Sequence, residues 1–286
     1  GFSATALGSG WVLPMGVTFN KTGTKLFVWE KGGKVYLFNW NSTTSTYVKQ
    51  NTPVIDLSQE VGNWGDHGLM GVALHPNFEN NGLLFLLYVV DRHHLLYYGT
   101  GSYSATANEY NNATIERLTR YKTTFNSNNE VVADPASRYI LIGESKTTGI
   151  PITHDSHAGG GIAFGSDTTL LISAGDGASY SNYVDSGSNP TSFWQQAITD
   201  GIIRSNENRG AYRAQMVNSH SGKILRIDPN TGDGIPSNPF YLQGSPRAPR
   251  SRVWAMGFRN PFKITVKPNT GSTDRTAANP GEIYEG

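Results

Sequence analysis

The sequence contains no cysteine among its 286 residues. Disulfide bonds, zinc sites built on thiolates and a cysteine nucleophile are therefore excluded. Charged residues make up only 16% of the chain and the formal net charge is +1, so no overall field would attract nucleic acid or an anionic membrane. No apolar run is long enough to span a bilayer, and the first residues do not have the pattern of a signal peptide.

Helical periodicity is also scarce. The one candidate is SFWQQAITDGII, residues 192–203, which predicts a single short helix. Glycine is abundant, with 33 residues, and there are 14 tyrosines and 6 tryptophans. Short apolar runs alternate with turn clusters throughout the chain. The composition therefore predicts an all-β protein.

One pattern of strand, polar turn and second strand recurs along the chain. It occurs in GVTFNKTGTKLFV (16–28), GVALHPNFENNGLLFLL (71–87) and GIAFGSDTTLLI (161–172), and FKITVKPNTG (262–271) has the first half of it. Repeated hairpins separated by several tens of residues favour a β-propeller with insertions in its loops. A β-sandwich whose hairpins are alike by chance is the alternative. We expect the loops 92–114 and 178–221 to be insertions that shape a binding site on one face.

The stretch THDSHAGGGIAFG, residues 153–165, places titratable groups directly before a repeat strand. Strands that open propeller blades begin around the mouth of a central channel, so His157 is a candidate general base there. Gly160 and Gly161 have no Cβ and would let a flat ligand or a neighbouring backbone come close. Asp176, in SAGDGAS, could return beside His157 and orient it. The alternatives are an ordinary surface turn, or a metal site formed by His154, His157 and Asp176.

Two other repeat strands carry polar residues at the same position. Arg259 and Asn260 precede the strand that begins near residue 262, and Asp66 and His67 precede the strand that begins near residue 71. An arginine there could stabilise developing negative charge, or it could simply tie two blades together. Three blades thus bring polar side chains to one mouth, which indicates a functional site more strongly than any single motif.

A further polar loop contains Asp228, Asn230 and Asp233, within SGKILRIDPNTGDG. Their spacing would suit an oxygen-rich calcium loop, although it is not that of an EF-hand. A plain Asx turn is the simpler interpretation.

The chain resembles the glucose/sorbosone dehydrogenase family of soluble quinoproteins. The resemblance is carried by GDHGLMGVALHPNF, HAGGGIAFGSDTTLLISAGDG, SGKILRIDP and GFRNP, in the family's order. It implies a six-bladed propeller, and residues 1–286 would supply its N-terminal and central blades as one domain. The versions found in large exported bacterial proteins look most similar, which implies an extracellular or periplasmic location.

The resemblance implies oxidation of a small sugar by pyrroloquinoline quinone (PQQ) with Ca²⁺, followed by electron transfer to an external acceptor. His157 matches the family's base and Asp176 the carboxylate that orients it. Arg259 and Asn260 match the pair near the reactive carbonyl of the quinone. Asp66 falls where the family carries a Gln or Glu near the substrate, and its neighbour His67 is a further candidate substrate residue.

This chain departs from the family in two respects. Position 161 is Gly where the family commonly has arginine or another bulky residue. The sequence given ends at NPGEIYEG, near the point where the family has its calcium-binding carbonyls and its basic residues for the quinone carboxylates. We therefore expect further residues, or a second chain, to complete the propeller.

Two other functions remain open. The first is a non-catalytic propeller that binds carbohydrate or protein within a larger exported protein. The combination of His157, Asp176 and Arg259 favours the enzyme, because a binding module needs no base. The second is a lactonase-like hydrolase, which would need a carboxylate-rich calcium site in the channel, and too few acidic residues precede the repeat strands for that.

Overall fold

The structure is a computed structural model that describes residues 6–179 and 193–286. Its strands form four antiparallel sheets within these residues. The first sheet has the order β1–β2–β3–β4, with β5 paired to β3. Its strands are β1 Pro14–Phe19, β2 Lys25–Glu30, β3 Lys34–Asn41, β4 Thr46–Lys49 and β5 Ile55–Asp56.

The second sheet is larger because short strands are added to its long central strand. Its strands are β6 Leu69–Leu74, β7 Leu83–Val89, β8 Thr114–Phe125, β9 Val131–Ala133, β10 Tyr139–Ile142 and β11 Ile150–Ile152. The order is β6–β7–β8–β10, and both β9 and β11 pair with β8.

The third and fourth sheets follow the same plan. The third has the order β12 Gly159–Phe164, β13 Leu170–Ala174, β14 Lys223–Ile227 and β15 Val253–Met256. The fourth consists of β16 Ile264–Val266 and β17 Ile283–Glu285. The first strands of successive sheets contact each other, β1 with β6, β6 with β12, and β12 with β16. Sheets joined in this way through their first strands are blades of a propeller, which confirms the predicted architecture.

The repeated hairpins correspond to the inner strands of the blades. The three complete copies form β1–β2, β6–β7 and β12–β13, and the half copy contains β16. β12 begins at Gly159, two residues earlier than the repeat suggests, and its register with β13 shifts between Gly159 and Ile162.

The core lies between the blades. Along β7, Leu84, Leu86 and Tyr88 face the cluster shared with the first blade, whereas Phe85 and Leu87 face the cluster shared with the third. All five side chains are fully buried. A strand covered on both faces needs apolar residues at every position, which explains the unbroken run LLFLLYV.

The helices are short and lie in the connections. The α-helices are α1 Phe78–Asn81, α2 Arg92–Tyr97, α3 Trp194–Thr199 and α4 Pro249–Arg252, and the 3₁₀ turns are Pro135–Ser137, Ser205–Glu207, Gly210–Gln215 and Arg275–Ala277. α3 confirms the predicted helix within the described residues, and Ser192 lies outside them. Within the described residues, none of the helices has the length and the apolar character that a membrane span requires.

The two predicted insertions contact each other. Arg92 in α2 forms a 2.6 Å ion pair with Asp200, and the side-chain oxygen of Gln196 in α3 accepts a 2.6 Å hydrogen bond from the backbone N–H of Ala113. The backbone N–H of Phe193 donates to the carbonyl of Thr153 at 2.7 Å. The second insertion is thereby joined to the segment that precedes His157.

Candidate active site

The candidate site lies where β12 begins. His157 precedes this strand and has a φ of +61°, in the left-handed region that residues other than glycine seldom occupy. Its backbone N–H donates to Oδ2 of Asp66 at 3.0 Å, and its carbonyl accepts from the N–H of Gly177 at 3.0 Å. A Cβ at Gly175 would lie 1.9 Å from that carbonyl oxygen, so only glycine fits there. The surroundings thus hold a histidine in a rare conformation, as is often seen at functional sites.

Asp176 lies beside His157, as the sequence predicts. Gly159 pairs with Ala174 across the β12–β13 hairpin, which brings the residues on either side of that pair together. Nδ1 of His157 is 3.4 Å from Oδ1 of Asp176. The carboxylate is fully buried, whereas 16% of the histidine side chain is exposed. The separation is longer than an ideal hydrogen bond, and such contacts commonly tighten when a substrate binds.

Arg259 and Asn260 come to the same place from the segment before β16. The guanidinium of Arg259 contacts Oδ2 of Asp176 and the carbonyl oxygen of Ser179. Its own carbonyl accepts from the N–H of Asp176 at 3.0 Å. Oδ1 of Asn260 accepts a 3.2 Å hydrogen bond from the N–H of Gly159. The arginine therefore ties the third and fourth blades together, while 31% of its side chain stays exposed.

Asp66 and His67 reach the site from the second blade, in different ways. Asp66 supports the backbone of His157 through its carboxylate, and its own N–H donates to the carbonyl of Asp155 at 2.9 Å. His67 is only 5% exposed, and its Nε2 donates to the carbonyl of His154 at 3.0 Å. Burial lowers the pKa of His67 to about 4, so the ring is neutral at neutral pH. His67 therefore holds the loop at His154 in place, and a substrate contact for it stays a prediction without support from its burial.

Gly160 and Gly161 allow close approach to neighbouring strands. A Cβ at Gly160 would lie 2.3 Å from Cβ of Met70 in β6, and one at Gly161 would lie 2.6 Å from the backbone nitrogen of Ile264 in β16. Of the two possibilities left open by the sequence, the structure thus shows the neighbouring backbone. A contact between these glycines and a cofactor stays a prediction.

Two buried cations beneath the site were not expected from the sequence. Nη2 of Arg213 donates to Oγ1 of Thr153 at 2.6 Å and to the carbonyl of Asp176 at 2.9 Å. Lys223 donates to the carbonyls of Arg213, Ala214 and Ser221, and burial lowers its pKa to about 8. The lysine at the start of the buried strand KILRI could have indicated that a partner for it is buried nearby. The sequence around Arg213 contains no comparable signal.

The predicted alternative of a metal at His154 and His157 is not supported by the contacts. Nδ1 of His154 lies 2.6 Å from Oδ1 of Asp155 and 2.9 Å from Oγ of Ser156. Among residues 6–179 and 193–286, no group of three or more His, Asp or Glu side chains is placed to hold a metal ion.

The loop of Asp228, Asn230 and Asp233 has the geometry of an Asx turn. Oδ1 of Asp228 accepts from the N–H of Asn230 at 2.7 Å, and its Oδ2 forms a 2.7 Å ion pair with Arg275. Asp233 lies 3.8 Å from Arg247. Both carboxylates therefore have cationic side chains beside them, and a calcium ion in this loop stays a prediction without support from the contacts.

Comparisons with known proteins agree with the fold. A family model described as Glucose / Sorbosone dehydrogenase matches residues 12–276. Two proteins of Arabidopsis thaliana are similar: the HIPL1 protein, 27% identical over 83% of this chain, and the HIPL2 protein, 24% identical over 88% of it. The chain spans only 33% and 38% of the length of these two relatives.

Solved structures show the same architecture. A glucose dehydrogenase matches 98% of this chain with a TM-score of 0.58 and 17% identity. The soluble aldose sugar dehydrogenase of Escherichia coli, in its apo form, matches 90% of the chain with a TM-score of 0.51 and 17% identity. The chain spans 59% and 55% of these two structures. The match of the family model over most of the sequence shows that the chain belongs to the glucose/sorbosone dehydrogenase family.

Proposed function

We propose that this chain carries the catalytic base of a PQQ-dependent sugar dehydrogenase. The observation that supports the proposal most directly is the pair formed by His157 and Asp176, 3.4 Å apart, with the carboxylate fully buried and the histidine partly exposed. A binding module gains nothing from a histidine held beside a buried carboxylate, whereas a proton-abstracting enzyme needs that arrangement.

The geometry gives each nitrogen of His157 a role. Asp176 faces Nδ1 and favours the tautomer with a proton there, which leaves Nε2 as the acceptor. Nε2 would then take the proton of the sugar hydroxyl that is being oxidised. The buried carboxylate would stabilise the imidazolium that results, while Asp66 fixes the position of the ring through the backbone.

The side chains at the site fit the reactive end of PQQ. A carbonyl that gains negative charge needs cationic or N–H donors nearby, and Arg259 and Asn260 supply both beside His157. When bound, PQQ would supply the two-electron acceptor for the hydride of the sugar carbon. The carboxylates of PQQ and its calcium ion have no assigned ligand among the described residues.

The substrate class follows from the family. We propose a small sugar as the electron donor and an external acceptor that reoxidises the cofactor, in a protein exported from the cytoplasm. Which aldose is used, and which acceptor, is to be decided by assay.

The test is dye-linked sugar oxidation by the protein that contains this chain, loaded with PQQ and Ca²⁺. His157→Ala should lower kcat about 10²- to 10⁴-fold, the usual contribution of a general base. The variant should still bind PQQ, as measured by the quenching of tryptophan fluorescence. His75→Gln is the matched control, because His75 lies in the turn after β6 and caps that turn through Asn77, and it should leave kcat unchanged. Unchanged turnover in His157→Ala would refute the assignment of the base.

One observation favours the non-catalytic alternative. The guanidinium of Arg259 is bound to Asp176 and to a carbonyl oxygen, so it already has partners within the protein. A wild-type protein that binds sugar but neither binds PQQ nor reduces dye would establish the propeller as a binding module.

A further inference from the structure

A cavity opens between the first and second blades, on the face that carries the candidate active site. Its volume is about 350 Å³, within the range of small-molecule sites in proteins. It is lined by the turn between β2 and β3 around Gly32, by the segment that ends at Asn63, and by Asn108 and Tyr110. The last two belong to the loop 92–114, which the sequence predicts to be an insertion that shapes a binding site.

The course of the chain places this cavity close to the candidate base. The start of β6 pairs with the end of β7, and at that end of β7 the carbonyl of Val89 accepts from the N–H of Gly62 at 2.9 Å. Asn63 therefore lies on the mouth side of the second blade. It precedes Asp66, which holds the backbone of His157, by three residues, so the Cα atoms of Asn63 and Asp66 are at most about 11 Å apart. A carbohydrate chain of a few units can span that distance.

The charged side chains around the cavity already have partners. Oε1 of Glu30 accepts from the N–H of Val12 at 2.8 Å, and its Oε2 accepts from the hydroxyl of Tyr36 at 3.3 Å. Nζ of Lys34 lies 3.4 Å from Oδ2 of Asp56. An ionic ligand would have to compete with these contacts, so the cavity favours a neutral ligand.

The neutral polar side chains, in contrast, are open to a ligand. Tyr110 is 40% exposed, Asn108 is exposed and Asn63 is partly exposed. Within the described chain, none of these three side chains has a hydrogen-bond partner. Each carboxamide offers N–H donors and an acceptor oxygen, and the tyrosine combines an apolar ring with a hydroxyl. Sugar units match this set, because they carry neighbouring hydroxyls and apolar C–H faces.

We propose that this cavity binds a neutral sugar unit, and that the substrate is an oligosaccharide with one unit here and the unit to be oxidised at His157. The carboxamides of Asn63 and Asn108 would exchange hydrogen bonds with the sugar hydroxyls, and the ring of Tyr110 would cover an apolar face. The role of this ligand as the substrate rests on the dehydrogenase function proposed above, whereas its binding in the cavity does not.

The first experiment measures binding without oxidation. The protein that contains this chain, free of PQQ, is titrated calorimetrically with glucose, maltotriose and cellotriose. We expect at least one trisaccharide to bind about tenfold more tightly than glucose, because the additional units add neutral hydrogen bonds. Equal or weaker binding of both trisaccharides would overturn the proposal, whether or not the protein oxidises sugars.

A variant tests the assignment to the cavity. Tyr110→Ala should weaken the tighter trisaccharide about five- to tenfold, the effect of losing one aromatic contact. Tyr139→Ala is the matched control, because Tyr139 is 39% exposed in the same blade and does not line the cavity, and it should leave the affinity unchanged. Equal affinity of Tyr110→Ala and the wild type would contradict the location of the site.

Kinetics of the PQQ-loaded protein separate this proposal from the dehydrogenase function. If both hold, Tyr110→Ala raises KM for the trisaccharide about five- to tenfold and leaves kcat and the KM for glucose unchanged, since glucose can reach His157 without occupying the cavity. If a trisaccharide binds in calorimetry and no sugar is oxidised, the dehydrogenase function fails and the binding site stands. If sugars are oxidised and KM for the trisaccharide does not change in Tyr110→Ala, the cavity is not part of the substrate site.

Discussion

Replacement of Asp176 by asparagine separates a catalytic contribution from a structural one. The substitution keeps the shape of the side chain and its acceptor for the N–H of Ala178, which is 2.9 Å from Oδ1. It removes the negative charge that faces His157 and Arg259. The histidine would then lose the group that selects its tautomer and stabilises its protonated form.

Asp176→Asn should have a large effect on activity and a smaller effect on stability. The folded protein should lose activity by about 10²- to 10⁴-fold, because the base would be both disoriented and less basic in the transition state. The cost in stability should be only about 1–3 kcal/mol, since 31% of the Arg259 side chain is exposed and water can replace part of the lost contact.

Asp167 in the same blade provides the matched control. Its Oδ2 lies 2.5 Å from Nη2 of Arg226, and both side chains are fully buried. Asp167→Asn leaves that guanidinium buried without its counter-charge, so it should cost about 3–5 kcal/mol of unfolding free energy. Asp167 lies in the turn between β12 and β13, at the opposite end of the hairpin from His157, so the folded fraction should keep its turnover.

The assay pairs urea unfolding with dye reduction, normalised to folded protein, for both variants. We expect Asp167→Asn to lose more unfolding free energy than Asp176→Asn. We expect Asp176→Asn to lose more activity per folded molecule than Asp167→Asn. If Asp176→Asn loses activity only in proportion to its folded fraction, the carboxylate has a structural role alone and the reasoning fails.

Two further predictions concern stability. As the pH falls from 6.5 towards 4, the unfolded chain protonates at His67 while the native protein does not, so stability is lost by up to about 3 kcal/mol. His67→Gln, whose amide can still donate to the same carbonyl, should reduce this loss in urea titrations across that range, and an unchanged pH slope would contradict it. Gly161→Ala should cost about 1–3 kcal/mol, because its Cβ would lie 2.6 Å from a backbone nitrogen of β16. Gly101→Ala, with nothing within 4 Å of the new Cβ, should change the unfolding free energy by less than about 0.5 kcal/mol.

The inner strands of the blades could be predicted because local signals agree there. The hairpin of residues 161–172 combines apolar runs with a turn in which Asp167 accepts from the N–H and hydroxyl of Thr169, and Thr168 has a φ of +60°. Such turns are fixed by nearby residues. The added strands β9, β10 and β11 were not predicted, because they have only three or four residues each. In addition, β9 separates β10 and β11 in sequence from β8, the strand with which they pair.

The grouping of the candidate residues and the approach of Asp176 to His157 could be predicted, but the other contacts among them could not. The position before each inner strand brought Asp66, His157 and Arg259 together, since the inner strands begin around one mouth. That Arg259 would bind Asp176 depends on how the segment after β15 packs against the end of β13, a contact between residues 83 positions apart. The burial of His67 could not be predicted for a similar reason, because it results from the loop at His154 in another blade.

The placement of titratable groups directly before consecutive glycines has a physical reason. The left-handed conformation of His157 persists because the surrounding structure, including the strand that follows it, holds it in place. Gly160 and Gly161 fix it by allowing β12 to touch β6 on one side and β16 on the other. The segments that precede β6 and β16 carry Asp66 and Arg259, which contact His157 and Asp176. The glycines therefore let three blades pack closely, and this packing sets the distances between His157, Asp176 and Arg259.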